Sequence, residues 1–296
     1  MHQISSEHRD ALAAAGLDPE GVRAVIAGAL AEDLDGGVDI TAAATIPPEH
    51  RCVVDLVVRA PGVLAGGAVA AAAFDIVGGS AVQATVQARD GARVAIGERV
   101  LTITGATREV LTAERTALNL LGHLSGVASA TARWVEAVAG TRAQIRDTRK
   151  TMPGLRALEK YAVRCGGGVN HRMGLFDEAL VKDNHIAAAG SAAAAFRAVR
   201  RAWPEAPVEV EVDDLEQLAE VLDAGATQVL LDNFPPPLLR RAVALNDGRA
   251  TLEASGGLTL DTAAEVAGCG VDFIAVGGLT HSAPVLDIGA DYREEA

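Results

Sequence analysis

Three clusters between residues 146 and 185 gather the side chains best suited to gripping an anion: Arg146-Asp147-Thr148-Arg149-Lys150-Thr151, Gly166-Gly167-Gly168-Val169-Asn170-His171-Arg172 and Val181-Lys182-Asp183-Asn184-His185. Arginine meets a carboxylate through a two-pronged fork, and lysine supplies a compact point charge. A ligand bearing two carboxylates needs such a set. From Arg142 to Lys182 there are nine Lys or Arg against four Asp or Glu, in a chain whose formal net charge is −13. A basic island in an acidic protein points to a small polyanion. The overall acidity argues against a general nucleic-acid binder, because phosphate backbones favour basic surfaces.

Two later segments suit phosphate. Glu253-Ala254-Ser255-Gly256-Gly257 and Ala275-Val276-Gly277-Gly278 each place a glycine pair directly after an apolar run. Glycine lets backbone N–H groups approach an anion closely, and a following helix adds the positive end of its dipole. Glu211 and Asp232, at the ends of two further apolar runs, suit Mg²⁺, which favours one or two carboxylates, retained waters and substrate phosphates. Asp213 and Asp214 just downstream read as helix caps.

The elements that must position these groups follow from the hydrophobic pattern. Before about residue 118 the chain reads as an α+β domain around an antiparallel sheet. It has a helix over 19–31 and short β-like runs at 52–59, 81–88 and 99–104. Residues 109–139 read as two helices interrupted at Gly122 and Gly126. Beyond them, β-branched runs at 143–147, 178–182, 208–212, 227–231, 249–254 and 271–276 alternate with helical patterns at 188–203, 214–224, 235–245 and 259–268. Such alternation means parallel βα units. Successive runs end on polar or glycine residues, and a ring of parallel strands collects those ends on one face, where barrel enzymes place their chemistry. An open sheet would concentrate them at a single switch point, so the barrel is favoured.

Other chemistries fit poorly. Cys52, Cys165 and Cys269 stand far apart, giving neither a disulfide framework nor a zinc site, and suit a reducing cytosol. His171, His185 and His281 show no metal-ligand spacing. There is no nucleotide P-loop and no G-x-S-x-G. The acidic run 32–39 lacks calcium-loop spacing and reads as a solvated capping loop. Residues 1–10 are polar without an apolar signal core, and the most apolar stretch, 63–74, is too short to span a bilayer, so no membrane partner is expected.

The motifs resemble a known family. Thr148-Arg149-Lys150-Thr151 with Pro153-Gly154-Leu155-Arg156, the triple glycine leading to His171-Arg172, and Lys182-Asp183-Asn184-His185 are similar to those of quinolinate phosphoribosyltransferases, the carboxylating nicotinate-nucleotide pyrophosphorylases of NAD synthesis. Glu114-Arg115-Thr116-Ala117-Leu118-Asn119, Glu209-Val210-Glu211-Val212, Leu231-Asp232-Asn233 and Ala254-Ser255-Gly256-Gly257 match in the same order. One departure is Met152, where a small polar residue is expected.

The resemblance implies the type II phosphoribosyltransferase fold, an N-terminal α/β sandwich followed by an incomplete TIM-like α/β barrel. The domains would be 1–118 and 119–284, with the tail 285–296 packing on the first. It implies a cytoplasmic homodimer with shared active sites, Mg²⁺ as cofactor, and quinolinate and phosphoribosyl pyrophosphate as substrates. Arg149, His171, Arg172 and Lys182 would line the quinolinate pocket, with Arg115 from the partner subunit. Lys150, Ser255, Gly256, Gly277 and His281 would serve phosphoribosyl pyrophosphate, Glu211 and Asp232 would hold Mg²⁺, and Lys150, Glu211 and Asp232 would be catalytic. Rival readings are a related transferase with another acceptor such as nicotinate, a non-catalytic binding protein, and a barrel lyase or aldolase using Lys182 as a Schiff base.

Overall fold

Short polar side chains set the first helix boundaries in the computed structural model, which describes residues 1–294. Ser5 caps α1 (Ser6–Ala14) by accepting from the His8 N–H. Asp18 accepts from Glu20 and Gly21 N–H to open α2 (Pro19–Leu34), whose leading proline has no N–H to leave unpaired. The acidic run at 32–39 ends one helix and begins the next. Asp35 takes the left-handed position after α2, and Asp39 accepts from Thr41 and Ala42 to open α3 (Ile40–Thr45).

The chain continues through β1 (Arg51–Val58), β2 (Gly62–Val63), α4 (Gly67–Gly78), β3 (Val82–Val86), β4 (Arg93–Val94), β5 (Arg99–Ala106) and α5 (Thr107–Ala137). Then come β6 (Gln144–Arg146), α6 (Arg156–Cys165), β7 (Ala179–Val181), α7 (Asp183–Ala189), α8 (Ala192–Ala202), β8 (Val208–Val212) and α9 (Leu215–Asp223). The last elements are β9 (Gln228–Asp232), α10 (Pro236–Asn246), β10 (Thr251–Ser255), α11 (Leu260–Ala267), β11 (Phe273–Ala275), α12 (Gly278–His281) and β12 (Ile288–Glu294). They divide into two compact units. The first comprises Met1–Ala130, Met152–Gly167 and the segment from Ser282; the second comprises Thr131–Thr151 and Gly168–His281. Residue 118 therefore lies inside α5, and the division falls further along that helix. Of the tail, β12 pairs with β1, while Glu295 and Ala296 lie outside the described residues.

In the first unit, β12-β1-β5-β3 form an antiparallel sheet against which α4 packs. The apolar stretch at 63–74 supplies much of α4, whose Phe74 and Ile76 are buried with Leu56, Leu101 and Ile103 of the sheet. Asp90 accepts from the N–H groups of Gly66 and Gly67 and fixes the start of α4. His8 of α1 meets Asp75 of α4 at 2.6 Å, and both are buried.

Residues 109–139 fold mainly as the single helix α5 rather than two helices. The glycines within it are packing positions. A Cβ on Gly126 would lie 2.2 Å from the Pro284 carbonyl oxygen, and one on Gly122 would lie 3.0 Å from that of Leu286. The expected helix at 188–203 is instead split into α7 and α8, because Gly190 ends the first in the left-handed region and Ser191 caps the second. α1, α3, α4, α6 and α12 are additional to the sequence expectations.

In the second unit six parallel strands run in the order β6-β11-β10-β9-β8-β7, with helices following β7 through β11. β6 and β7 are the two ends of this order, and among the described residues an isolated bridge joins Arg146 to Val169 beyond β6. The architecture is an incomplete α/β barrel. No helix among the described residues is long and apolar enough to cross a membrane.

Burial disfavours the charged ring of His8, but the hydrogen bond and charge of Asp75 outweigh it and raise the His8 pKa. Burial likewise opposes the Asp75 carboxylate, and His8 with the Ser5 N–H outweighs it and lowers that pKa. The His8 contribution is complete below its ordinary value and lost as pH rises through the raised value. That of Asp75 is complete above its ordinary value and lost as pH falls through the depressed one. Amide-exchange protection of α1 is therefore expected to be greatest between these limits. Asp75→Ala should reduce it by about 3 kcal/mol, the scale for stranding one member of a buried pair.

Candidate active site

Side chains two positions apart on a strand share a face. In the second unit this sets Glu209 with Glu211, Leu230 with Asp232, Glu253 with Ser255, and Leu180 with the strand-end Lys182. The outer members of these pairs and the segments after β6 enclose a cavity of ≈ 460 Å³. It is lined by Thr148, Arg149, Lys150, His171, Arg172, Leu180, Lys182, Glu211, Leu230, Asp232, Glu253, Ser255, Gly256 and Ala275. Most of the residues expected from the sequence meet here. Gly277 and His281 are close by: a Cβ on Gly277 would lie 2.8 Å from Lys150 Cδ and 3.7 Å from His281 Nε2. Arg115 is exposed on α5 in the first unit and is not in this lining.

Loop chemistry fixes the basic groups. Thr280 Oγ1 donates to the Lys150 carbonyl at 2.8 Å, and Lys150 N–H donates to Thr148 Oγ1 at 3.0 Å. Asp147, fully buried, accepts from the Asn170 side chain and from the His171 N–H at 2.9 Å, joining the segment after β6 to the one carrying Arg172. Arg172 donates from Nη1 to the Glu178 carbonyl at 3.0 Å. Burial and then the neighbouring Arg149 charge push the Arg172 pKa below the usual arginine value. Arg149 Nε is buried with no hydrogen-bond partner. Two guanidiniums held within reach of each other's charge form a site prepared for anionic oxygens. Gly256 has φ +90°, and a Cβ there would lie 2.2 Å from Asn233 Oδ1 and 2.9 Å from its backbone N. Only glycine fits the approach of this strand end to its neighbour.

Glu211 and Asp232 reach the cavity from adjacent strands. Glu211 pairs with Lys182, and Asp232 accepts from the Asn233 side chain at 2.7 Å. Two carboxylates opening into a cavity that also holds Lys150, Ser255 and Gly256 fit Mg²⁺, which keeps waters and shares substrate phosphates.

Beneath the mouth lies a buried ionic group. Arg146 Nη1 meets Glu253 Oε2 at 2.8 Å and approaches Glu209 Oε1 at 4.0 Å, with its guanidinium 4.3 Å from the centre of the Phe273 ring. Glu209 Oε2 lies 2.7 Å from His171 Nε2. His171, Glu209 and Glu253 bring potential metal-ligand atoms within 4.8 Å of one another, but here Arg146 supplies the positive charge. The sequence carried one signal: charged residues at strand positions two before a functional strand end.

Burial chiefly, and then each other's proximity in the case of Glu253, push the Glu209 and Glu253 carboxyls up to about 7. A folded pKa above the ordinary carboxylate value means the native state keeps protons that the unfolded chain releases. This contribution to stability is lost as pH rises from about 4.5 to 7. Glu253→Gln, which has no proton to lose, should flatten the pH dependence. Its melting temperature relative to the parent protein is expected to be more favourable at pH 8 than at pH 5.

Comparison with known proteins places this site in context. Residues 39–125 match the family model for the quinolinate phosphoribosyl transferase N-terminal domain, and residues 127–291 match that for the C-terminal domain. The chain is 54% identical to the carboxylating nicotinate-nucleotide pyrophosphorylase of Mycobacterium leprae over 92% of this chain and 97% of that protein. Identity to the probable enzyme of the same name from Bacillus subtilis is 41%, over 88% and 89% of the two chains. The crystal structure of NadC from Streptococcus pyogenes superposes with a TM-score of 0.90 at 39% identity, over 95% of this chain and 99% of that one. Human nicotinic acid phosphoribosyltransferase shares the fold at 15% identity, with a TM-score of 0.59 over 87% and 72%. With both family domains matched in order along the chain, and the strand-end residues gathered around one cavity, this protein belongs to the quinolinate phosphoribosyltransferase family.

Proposed function

We propose that this protein transfers a phosphoribosyl group from phosphoribosyl pyrophosphate to quinolinate, yielding nicotinate mononucleotide, pyrophosphate and carbon dioxide in de novo NAD synthesis. The observation that carries this reading is the convergence of Arg149, Arg172 and Lys182 with Lys150, Glu211, Asp232, Ser255 and Gly256 around one cavity. A pyridine dicarboxylate answers the basic groups on one side. A pyrophosphorylated ribose answers the carboxylates, lysine and glycine-bearing strand end on the other. Homologous enzymes named for the carboxylating nicotinate-nucleotide pyrophosphorylase reaction support the same assignment.

The pyridine nitrogen attacks C1 of the ribose as pyrophosphate leaves, and positive charge builds on the sugar ring. The chain's contribution is positioning and electrostatic stabilisation, with no covalent enzyme intermediate. Lys150 stabilises the departing pyrophosphate. Glu211 and Asp232 would hold Mg²⁺, which supplies further charge neutralisation when bound. Arg149 and Arg172, with Lys182, orient the two carboxylates. Ribosylation makes the ring nitrogen cationic and stabilises the carbanion left when the adjacent carboxylate departs as carbon dioxide; a proton then takes its place. Arg115, exposed on α5, would reach the site of a second copy in a homodimer with shared active sites. The three free cysteines suit a cytoplasmic protein.

Nicotinate, with one carboxylate, leaves part of the basic set unanswered. Purified protein with Mg²⁺ and phosphoribosyl pyrophosphate should therefore turn over quinolinate and not nicotinate; turnover of nicotinate alone would overturn the dicarboxylate reading. Arg149→Ala and Arg172→Ala should each lower kcat/KM for quinolinate by about 2–5 kcal/mol in activation free energy, the scale for stranding one charge of a desolvated pair. Near-parent turnover would remove that residue from the pocket. Chelation of divalent cations should abolish the reaction and added Mg²⁺ restore it, whereas Glu211→Gln should resist restoration at the same Mg²⁺ concentration.

A further inference from the structure

His171 lines the cavity, yet both its ring nitrogens are engaged by the protein. The Arg172 backbone N–H donates to Nδ1 at 2.7 Å. A nitrogen that accepts from an N–H carries a lone pair there, so in the neutral ring the proton sits on Nε2. Nε2–H then donates to Glu209 Oε2 at 2.7 Å. Glu209 is 1% exposed and absent from the cavity lining, and its other oxygen faces Arg146 at 4.0 Å.

We propose that Glu209 is a positioning residue for substrate recognition: by accepting from Nε2–H it holds His171 in the tautomer whose Nδ1 fixes the Arg172 main chain, and so aims the Arg172 guanidinium. This rests on the reading of Arg172 as a quinolinate carboxylate ligand. A carboxylate suits this place because Oε2 accepts from His171 Nε2–H while Oε1 carries negative charge toward the Arg146 guanidinium 4.0 Å away. Glutamine has a single acceptor oxygen. Arg146 keeps its charge at accessible pH, and that charge attracts the amide oxygen and repels the NH₂, turning the NH₂ toward His171 Nε2. The proton then moves to Nδ1, where it opposes the Arg172 N–H. His171 acts here through its lone pair, and its ring presents only a surface to the ligand.

The test compares Glu209→Gln with Glu209→Asp, which keeps both acceptor oxygens. In protein labelled with ¹⁵N-histidine and held at pH 8, above the value of about 7 at which the Glu209 carboxyl ionises, with the resonance assigned by its loss in His171→Asn, the parent should show a protonated Nε2 and a bare Nδ1 at His171. Glu209→Gln should exchange the two signatures and raise the KM for quinolinate about tenfold, the scale of losing one hydrogen bond, with the KM for phosphoribosyl pyrophosphate unchanged. Glu209→Asp should restore the parent tautomer and move KM back toward the parent value. An unaltered His171 signature with unaltered quinolinate KM in Glu209→Gln would overturn the proposal. So would equal losses toward both substrates in the two variants, which would mark a merely structural role. Failure of the parent protein to turn over quinolinate would sink the functional reading instead, and the ¹⁵N signatures would still decide whether Glu209 sets the tautomer.

Discussion

The barrel of this protein depends on a buried ionic layer. Arg146, Glu209 and Glu253 point into the interior from three strands, and both glutamates are 1% exposed. Charges removed from water must find partners or be neutralised, a carboxylate by taking up a proton. Here the guanidinium answers one carboxylate closely and the other more distantly, His171 answers the second, and the carboxyls are held at about 7. Because side chains alternate along a strand, slipping β8 or β10 by one residue would turn a charge toward the helix-covered face. The ionic layer therefore disfavours wrong registers as well as joining strands. Once it is set, the mouth follows: Glu211 and Ser255 stand one repeat above Glu209 and Glu253.

The mouth is built from opposed charge. Lys182 is paired with Glu211, so a cation assigned to quinolinate and a carboxylate assigned to Mg²⁺ form one ion pair. Arg149 and Arg172 have the opposite relation, two like charges facing one cavity, with Arg149 Nε unpartnered. In the proposed reaction a dicarboxylate would relieve that repulsion, and a metal-bound pyrophosphate would offer Glu211 a new partner. The two halves of the site would then be coupled through the Lys182–Glu211 pair. This local arrangement would set recognition in a chain whose overall charge of −13 points the other way.

Much of this was legible in the sequence because barrel chemistry sits at strand ends, and strand ends are visible as polar residues closing apolar runs. The six parallel strands, the antiparallel first sheet and the capping role of 32–39 were all read from local pattern. What failed was local pattern whose cause lies elsewhere in the fold. Gly122 and Gly126 read as helix breaks, but α5 passes through them because the segment at 284–286 lies against that side of the helix. Gly190 was absorbed into one long helix although it ends α7. Arg146, Glu209 and Glu253 stand within the basic cluster, a family motif and a phosphate-suited segment, but their burial together is not legible, since a sequence does not say which face of a strand is dry. His171 was legible as a site residue, but its orientation depends on the Arg172 N–H and on a glutamate 38 positions away.

Glu209 and Glu211 make the general point in one strand. They are the same residue type on the same face of β8, about 7 Å apart at the usual rise of roughly 3.3 Å per residue. Glu211 reaches the cavity, is partly exposed and pairs with Lys182. Glu209, one repeat deeper, is enclosed by Arg146 and His171. A carboxylate near water can exchange partners as ligands arrive, because solvent screens the charge while it is between them. A carboxylate in the dry layer has no such freedom, since leaving its partners would strand it. Depth therefore suits Glu211 to a role that changes through the reaction and Glu209 to one that does not. Conversely, the fixed hydrogen bond between the deeper glutamate and His171 would spare the mouth from organising itself each time a substrate binds.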